Sequence, residues 1–138
     1  MADHPILVDS SVWIQCFKPG PCSYRGHLDQ LLADNRVATC GPVKAEVLSG
    51  ARSAEDFRRL LNWFDGLPDL SMVSDEHIWD RIAESRFKLA RTGIQQRLID
   101  LFIAWTAHYH NVPVWSLDQD FEKITNVVPF KLYKVSFQ

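Results

Sequence analysis

The sequence predicts an α/β protein: a three-layer α/β/α sandwich around a central, mostly parallel sheet. Three observations predict it. Short apolar runs such as Ile6-Leu7-Val8 and Val112-Pro113-Val114-Trp115 are continuous rather than alternating, as strands buried on both faces are. Runs of this kind alternate with longer segments of helical periodicity. Both of these runs also lead into polar stretches, Asp9-Ser10-Ser11 and Ser116-Leu117-Asp118, suited to capping a following helix. At 138 residues the chain suits one domain, 1–138, with a single core.

The elements follow in order. Ile6–Val8 is the first strand; Ser10 or Ser11 caps a helix from Val12 to Phe17. Lys18-Pro19-Gly20-Pro21 is a turn. A second helix runs from Ser23 to Ala33, with Leu28, Leu31 and Leu32 on one face, and Arg36 to Cys40 is a short strand. Gly41-Pro42 opens a third helix, with proline in its first turn, and Gly50 ends it. Ser53 caps a fourth, in which Phe57, Leu60, Leu61 and Phe64 recur at helical spacing; Gly66-Leu67-Pro68 stops it. Leu70 to Val73 reads as a strand. Ser74 or Asp75 caps a long helix to Arg91, which Thr92-Gly93 breaks. Arg97 to Tyr109 is a strongly apolar helix ended by Asn111. Val112 to Leu117 is a strand, Asp118 to Ile124 a short helix, and Phe130 to Val135 an edge strand.

Composition narrows the function classes. Hydrophobic residues are 46% and charged residues 23%, the balance of an ordinary globular protein. A formal net charge of -2 gives no global basic signal, so a nucleic-acid partner would have to be met by local patches or by metal ions held on acids. Cys16, Cys22 and Cys40 are odd in number and lack metal-ligand spacing, which indicates free thiols in a reducing cytoplasm. No basic signal region and no apolar run of membrane length is visible, so no membrane association is expected.

Acids stand where solvation alone would not put them. Asp9 closes the first strand, Glu46 sits on the helix after the second, Asp100 is wrapped by Leu98, Ile99, Leu101 and Phe102, and Asp118 and Asp120 follow the late strand. Taken singly, each has a plain structural role: a cap, a solvated helix residue, or a buried ion-pair partner. As a set, on one edge of a parallel sheet, they would repel one another unless a hard cation lay among them. Magnesium prefers oxygen ligands and sits naturally beside phosphates, so the set points to metal-assisted phosphodiester hydrolysis.

Val8-Asp9-Ser10-Ser11-Val12-Trp13-Ile14, Val43-Lys44-Ala45-Glu46-Val47-Leu48, Asp100-Leu101-Phe102-Ile103-Ala104-Trp105-Thr106-Ala107 and Ser116-Leu117-Asp118-Gln119-Asp120-Phe121 occur in that order. Together they resemble the successive motifs of PIN-domain nucleases, and size and helix content resemble the VapC toxins of prokaryotic toxin–antitoxin systems. The resemblance covers nearly the whole chain. It implies a PIN-like fold and a Mg²⁺-dependent endoribonuclease, with Mn²⁺ as substitute, that leaves 5′-phosphate and 3′-hydroxyl ends. It also implies an acidic quartet of Asp9, Glu46, Asp100 and Asp118, a further metal-site acid in Asp120, and hydroxyls beside the site in Ser11 and Ser116. A homodimer and a cognate antitoxin are implied as partners of the protein, with RNA as substrate. Trp105 departs from the pattern, in which a small residue is usual.

Around that set, Lys88 and Arg91, just before Thr92-Gly93, are the favoured contacts for RNA phosphates. Other basic residues, Arg97 among them, read mostly as solvated. Trp79, Trp105 and Trp115 read as core, leaving Trp13 and Trp63 as candidates for stacking on bases. His4, His27 and His77 read as surface residues. For the antitoxin, an apolar groove is expected from Val12, Trp13, Phe17, Leu28, Leu31, Leu32, Phe57 and Leu61. The alternative within the same chemistry is a PIN-domain RNA-processing nuclease without an antitoxin. A phosphoacceptor receiver module, a different class, is disfavoured: serines follow Asp9, and the late strand ends without a lysine.

Overall fold

A computed structural model describes residues 4–135. The elements are β1 (Ile6–Val8), α1 (Ser10–Phe17), α2 (Arg25–Ala33), β2 (Val37–Ala38), α3 (Gly41–Ser49), α4 (Ala54–Phe64), α5 (Ile78–Arg91), α6 (Leu98–His110), β3 (Val114–Trp115) and α7 (Asp120–Ile124). The strands pair in the order β2-β1-β3 and are parallel throughout, with Leu7 opposite both Ala38 and Val114. The chain is thus an α/β sandwich. Helices α1, α3 and α4 pack on one another, as do α5, α6 and α7. All three residues of β1 are fully buried, which is why that strand reads as an unbroken apolar run.

Two expected strands shrink to single parallel bridges, Thr39 to Asp69 and Val114 to Leu132. Leu70 donates its amide to the Thr39 carbonyl at 2.8 Å, extending the sheet by one residue. The Asp69 side chain then takes the amide of Ser71 at 2.8 Å. That local turn removes the donor a longer ladder would need, so Leu70–Val73 does not continue as a strand. The bridge beside β3 is likewise one residue long, so the expected edge strand over Phe130–Val135 contributes only Leu132.

Caps decide the helix boundaries. Asp9, not a serine, is the N-cap of α1, and the helix begins two residues earlier than expected, at Ser10. Helix α5 begins at Ile78 rather than beside Ser74 or Asp75. Asp75 accepts instead from the amide of His77 at 2.8 Å, from Arg81 at 2.7 Å, and from the Tyr109 hydroxyl, tying α5 to α6. Asn111 ends α6 in the left-handed conformation at φ 53°, the position where asparagine is tolerated. In α4 the Ser53 hydroxyl accepts from the Asp56 amide at 3.0 Å, as its sequence signature indicates. Ser53→Ala is expected to cost about 1 kcal/mol in urea denaturation. An unchanged midpoint would show that the exposed cap adds nothing.

The core holds Trp13, Phe64, Trp115 and Phe121 as its largest buried side chains. Trp13 packs edge-on against Trp63 at 4.9 Å and Phe64 at 5.3 Å, so it is not available to stack on a base. Trp79 reverses its expectation in the other direction: it is 59% exposed and stacks on Phe102. All three cysteines are free, as expected, but Cys16 and Cys22 are not independent, their sulfurs lying 2.9 Å apart in a hydrogen bond. Burial, then the neighbouring Cys22 thiol, pushes Cys16 up to about 12 and keeps it protonated. Among the described residues, no helix is long and apolar enough to cross a membrane.

Candidate metal and catalytic site

The site is built from the C-terminal ends of two adjacent strands, the middle of helix α3 and the first turn of helix α6. β1 delivers Asp9, and β3, its parallel neighbour, delivers Ser116 one residue past its end. The amide of Asp9 donates to the Trp115 carbonyl at 2.8 Å, which fixes the register of these two ends. Asp9 Oδ2 then accepts from Ser11 Oγ and Ser116 Oγ, both at 2.8 Å, and the two hydroxyls are 3.2 Å apart. Ser11 Oγ also accepts from the Leu117 amide at 3.0 Å. The paired hydroxyls thus saturate one carboxylate oxygen. The other, Asp9 Oδ1, is buried and has no hydrogen-bond partner among the described residues.

On the facing helices Asp100 is 1% exposed. Its Oδ1 accepts from Arg97 Nη2 at 2.9 Å; its Oδ2 accepts from Gln96 Nε2 at 2.8 Å and Arg97 Nε at 3.2 Å. The third guanidinium nitrogen, Nη1, donates to Glu46 Oε2 at 3.2 Å. Glu46 Oε1 in turn accepts from Ser10 Oγ at 3.2 Å. One arginine therefore bridges two acids that lie 54 positions apart in the chain, and Ser10 ties the pair back to the residue after Asp9.

Desolvation dominates the electrostatics. Burial pushes the Asp9 carboxyl above its usual range, against the lowering effect of the Ser11 and Ser116 hydroxyls. Asp100 is raised too, by burial first and by the Asp9 charge, although Arg97 pulls the other way. Asp100, chiefly through its hydrogen bonds, and Glu46 raise Arg97 above its ordinary value. Asp9 and Asp100 thus stand close enough to repel, and Asp9 carries no cation of its own.

Not every expected residue joins them. Asp118 is half-buried; its amide donates to Ser116 Oγ at 3.0 Å, and its Oδ1 accepts from the Asp120 amide at 2.9 Å. Asp120 lies in the first turn of α7, with its carboxylate 3.4 Å from Lys123 Nζ. Among the described residues no three acids, imidazoles or thiols stand close enough together to hold one ion.

Lys88 and Arg91 are exposed on α5; Lys88 pairs with Glu84 at 2.9 Å and Arg91 lies over the Phe87 ring. No hydrogen bond or ion pair found among the described residues joins either to the acids. Trp105 donates to Ser85 Oγ at 3.0 Å and stacks on Tyr109, so it packs α6 on α5. Sequence reasoning missed the roles of Arg97, Gln96 and Ser10. The one available signal was a basic residue three positions before a buried acid, a spacing at which side chains meet in a helix.

The apolar surface is smaller than expected. Val12, Trp13, Leu28 and Leu31 are core, while Ile14, Phe17, Phe57 and Trp63 are the large side chains left partly exposed on this side. Ile14 and Phe17 border a cleft of about 460 Å³ between α1, α3 and α4, rimmed by Arg25, Arg52 and Arg59.

Comparison with known proteins gives this arrangement a context. The family model of the PIN domain matches residues 6–127. The chain is 32% identical over 126 residues to the VapC ribonuclease Mb1587 of Mycobacterium bovis, covering 88% of this chain and 92% of that one. A solved structure of VapBC-5 from Mycobacterium tuberculosis, a member of the VapBC family of toxin–antitoxin systems, has a chain similar at TM-score 0.62 and 23% identity, covering 96% of this chain and 100% of that one. VapBC-1 of nontypeable Haemophilus influenzae gives TM-score 0.70 at 19% identity, covering 94% and 96%. At these identities the structural likeness is one of fold.

Proposed function

The chain belongs to the PIN-domain family, and we propose that it is a divalent-metal-dependent endoribonuclease, the toxin of a toxin–antitoxin pair. The observation that carries the metal site is Asp9 Oδ1, a buried carboxylate oxygen without a partner, beside two acids already sharing a borrowed cation. A buried acceptor left unsatisfied is costly, and an all-oxygen donor set suits Mg²⁺ or Mn²⁺. Asp9, Asp100 and Asp118 would hold the ion, with Glu46 and Asp120 completing the acidic set.

A divalent ion there would polarise the phosphate and lower the pKa of water. The chain's own residues do the rest. Ser11 and Ser116 anchor Asp9 by one oxygen and leave the other directed at the site. Glu46, held by Ser10, is more exposed than Asp100 and is placed to take a proton from attacking water. Arg97 neutralises Glu46 and Asp100 in the structure; with a divalent ion supplying that charge, its guanidinium would be available to meet the substrate phosphate. The cut leaves a 5′-phosphate and a 3′-hydroxyl.

The partners follow the same reading. The α1–α3–α4 cleft is lined by Lys18, Arg25, Arg52 and Arg59 against the single acid Asp56, together with apolar Ile14 and Phe17, which suits an amphipathic antitoxin segment with acidic residues at its edges. A homodimer and a cytoplasmic location complete the reading. The alternative, an RNA-processing nuclease without an antitoxin, is not favoured: the cited curated relative is a VapC ribonuclease and the cited fold neighbours come from VapBC systems.

Two experiments test this. Incubation with a defined RNA pool should give end-mapped internal cuts with Mg²⁺ or Mn²⁺ and none with EDTA. Cutting that persists after metal is stripped and verified absent defeats the metal mechanism. Expression of the wild type should arrest growth and that of Asp9→Ala should not. Harmless soluble expression in a host lacking the antitoxin removes the toxin role.

A further inference from the structure

A second cavity opens directly beside the acids. It has a volume of about 220 Å³ and is lined in part by Ser116 and Asp118, so its mouth is continuous with the site described above. It is smaller than the ~300–1,000 Å³ of pockets that take drug-sized ligands, which suits a flat ligand of one or two rings. We propose that this cavity is a nucleobase subsite, taking the unpaired base next to the scissile phosphate and preferring bases with an exocyclic amine. The proposal rests on the ribonuclease reading for its substrate class.

The walls are aromatic and held in place. Tyr24 and Tyr133 both line the cavity. Both pack edge-on against Trp115 of β3, at ring separations of 6.2 Å and 6.0 Å. Tyr133 is fixed further: His27 stacks on it at 5.6 Å and 22°, and His27 Nε2 lies 2.6 Å from its hydroxyl. Its backbone amide donates to the Val114 carbonyl at 2.8 Å. His27, expected at the surface without a partner, thus supports this wall from behind Tyr133. Aromatic walls that are already ordered lose little freedom when a base stacks on them, and stacking tolerates any ring.

Charge decides between a base and a phosphate. The polar part of the lining includes Asp118, Gln119 and Glu122. The one lysine there, Lys134, is already paired with Glu122 at 2.7 Å. A free phosphate would meet a lining of net negative charge, since Lys134 offsets one of the two carboxylates. A neutral base meets acceptors instead, and carboxylates accept well from exocyclic amines. Cytosine, adenine and guanine carry such an amine; uracil does not. A phosphodiester cut at this site would have its neighbouring nucleoside beside the cavity, because Ser116 both donates to Asp9 and lines the cavity.

The test has two arms. In the first, metal-free protein is titrated with CMP, AMP, GMP, UMP and ribose 5-phosphate, with backbone amide shifts of residues 116–122 as the readout. The three amine-bearing nucleotides should shift these amides, and UMP and ribose 5-phosphate should not at equal concentration. Tyr24→Leu should weaken binding about tenfold or more. Glu122→Gln, which removes a carboxylate of the lining together with its ion pair to Lys134, should erase the discrimination against UMP even if Tyr24→Leu proves unstable. Equal response to ribose 5-phosphate, or no response to any nucleotide, overturns the subsite. In the second arm, cut sites in the RNA pool should show an amine-bearing base at one fixed offset, lost in Glu122→Gln. If the wild type cuts RNA without any such preference, the subsite is wrong and the nuclease stands. If it cuts no RNA, the nuclease reading fails, and the nucleotide titration still decides the cavity.

Discussion

Arg97→Gln is expected to tighten divalent-metal binding and to weaken the metal-free protein. In the structure Arg97 supplies the positive charge to both Glu46 and Asp100. A metal entering the site has to displace two partly exposed ion pairs, each worth up to about 1 kcal/mol. Since ~1.4 kcal/mol is a factor of ten, removing that competition should improve apparent affinity on the order of tenfold. In EDTA the same change leaves Asp100, 1% exposed, with Gln96 as its only remaining donor, and should cost roughly 1–3 kcal/mol. Mg²⁺ should recover more stability in the variant than in the wild type, because it binds only the folded state. Calorimetric titration and denaturation with and without metal measure both quantities. A variant that is less stable but binds Mg²⁺ no better would show Arg97 to be a structural ion-pair partner alone.

Asp9→Asn is expected to abolish cleavage and to change the pH dependence of the metal-free fold. Loss of a residue that orients a metal ligand typically costs 10–100-fold, and loss of a ligand should exceed the upper figure. The pH effect follows from the raised carboxyl of Asp9, caused by burial. A group whose folded pKa lies above its unfolded value stabilises fully below the unfolded value and loses that contribution as pH rises through the folded one. The unfolded value is about 3.8, so the loss begins just above pH 4. Asn does not ionise. The Asp9→Asn protein should therefore gain stability relative to wild type as pH is raised from 4 to neutrality in EDTA, and saturating Mg²⁺ should erase the gain. Asp56, Asp75 and Glu122 shift the other way through their bonds to Arg59, Tyr109 and Lys134, so they favour the fold at higher pH in both proteins and cancel from the difference. Melting curves across that range decide it. Parallel curves would mean that the Asp9 charge is not under strain.

Asp100 illustrates why a single buried acid was ambiguous. Its position among Leu98, Ile99, Leu101 and Phe102 marked a charge that needs a partner, and both available partners, a metal or an arginine, satisfy that need equally in a one-dimensional reading. The structure shows the arginine in place and the Asp100 carboxyl still pushed above its ordinary range, by burial first and by the Asp9 charge after it. Asp120 shows the converse. It matches the family's motif, yet its place in the first turn of α7 sets its carboxylate against Lys123, three residues on.

The sequence by itself determined the parallel α/β class, since burial on both faces demands the unbroken apolar runs at β1 and β3. It determined the helix stops at Gly50 and Asn111 and the Ser53 cap, which depend on neighbouring residues only. It also determined which acids stand at strand ends and on helices α3 and α6, because strand and helix periods are local. What the tertiary structure decided was everything that depends on approach through space. It set Arg97 between Glu46 and Asp100, paired the hydroxyls of Ser11 and Ser116 on one oxygen of Asp9, sank Trp13 into the core, and closed an aromatic wall from Tyr24, His27 and Tyr133 around Trp115. Such contacts span up to 107 positions of chain, and only the packing of the sheet brings their ends within a few ångströms.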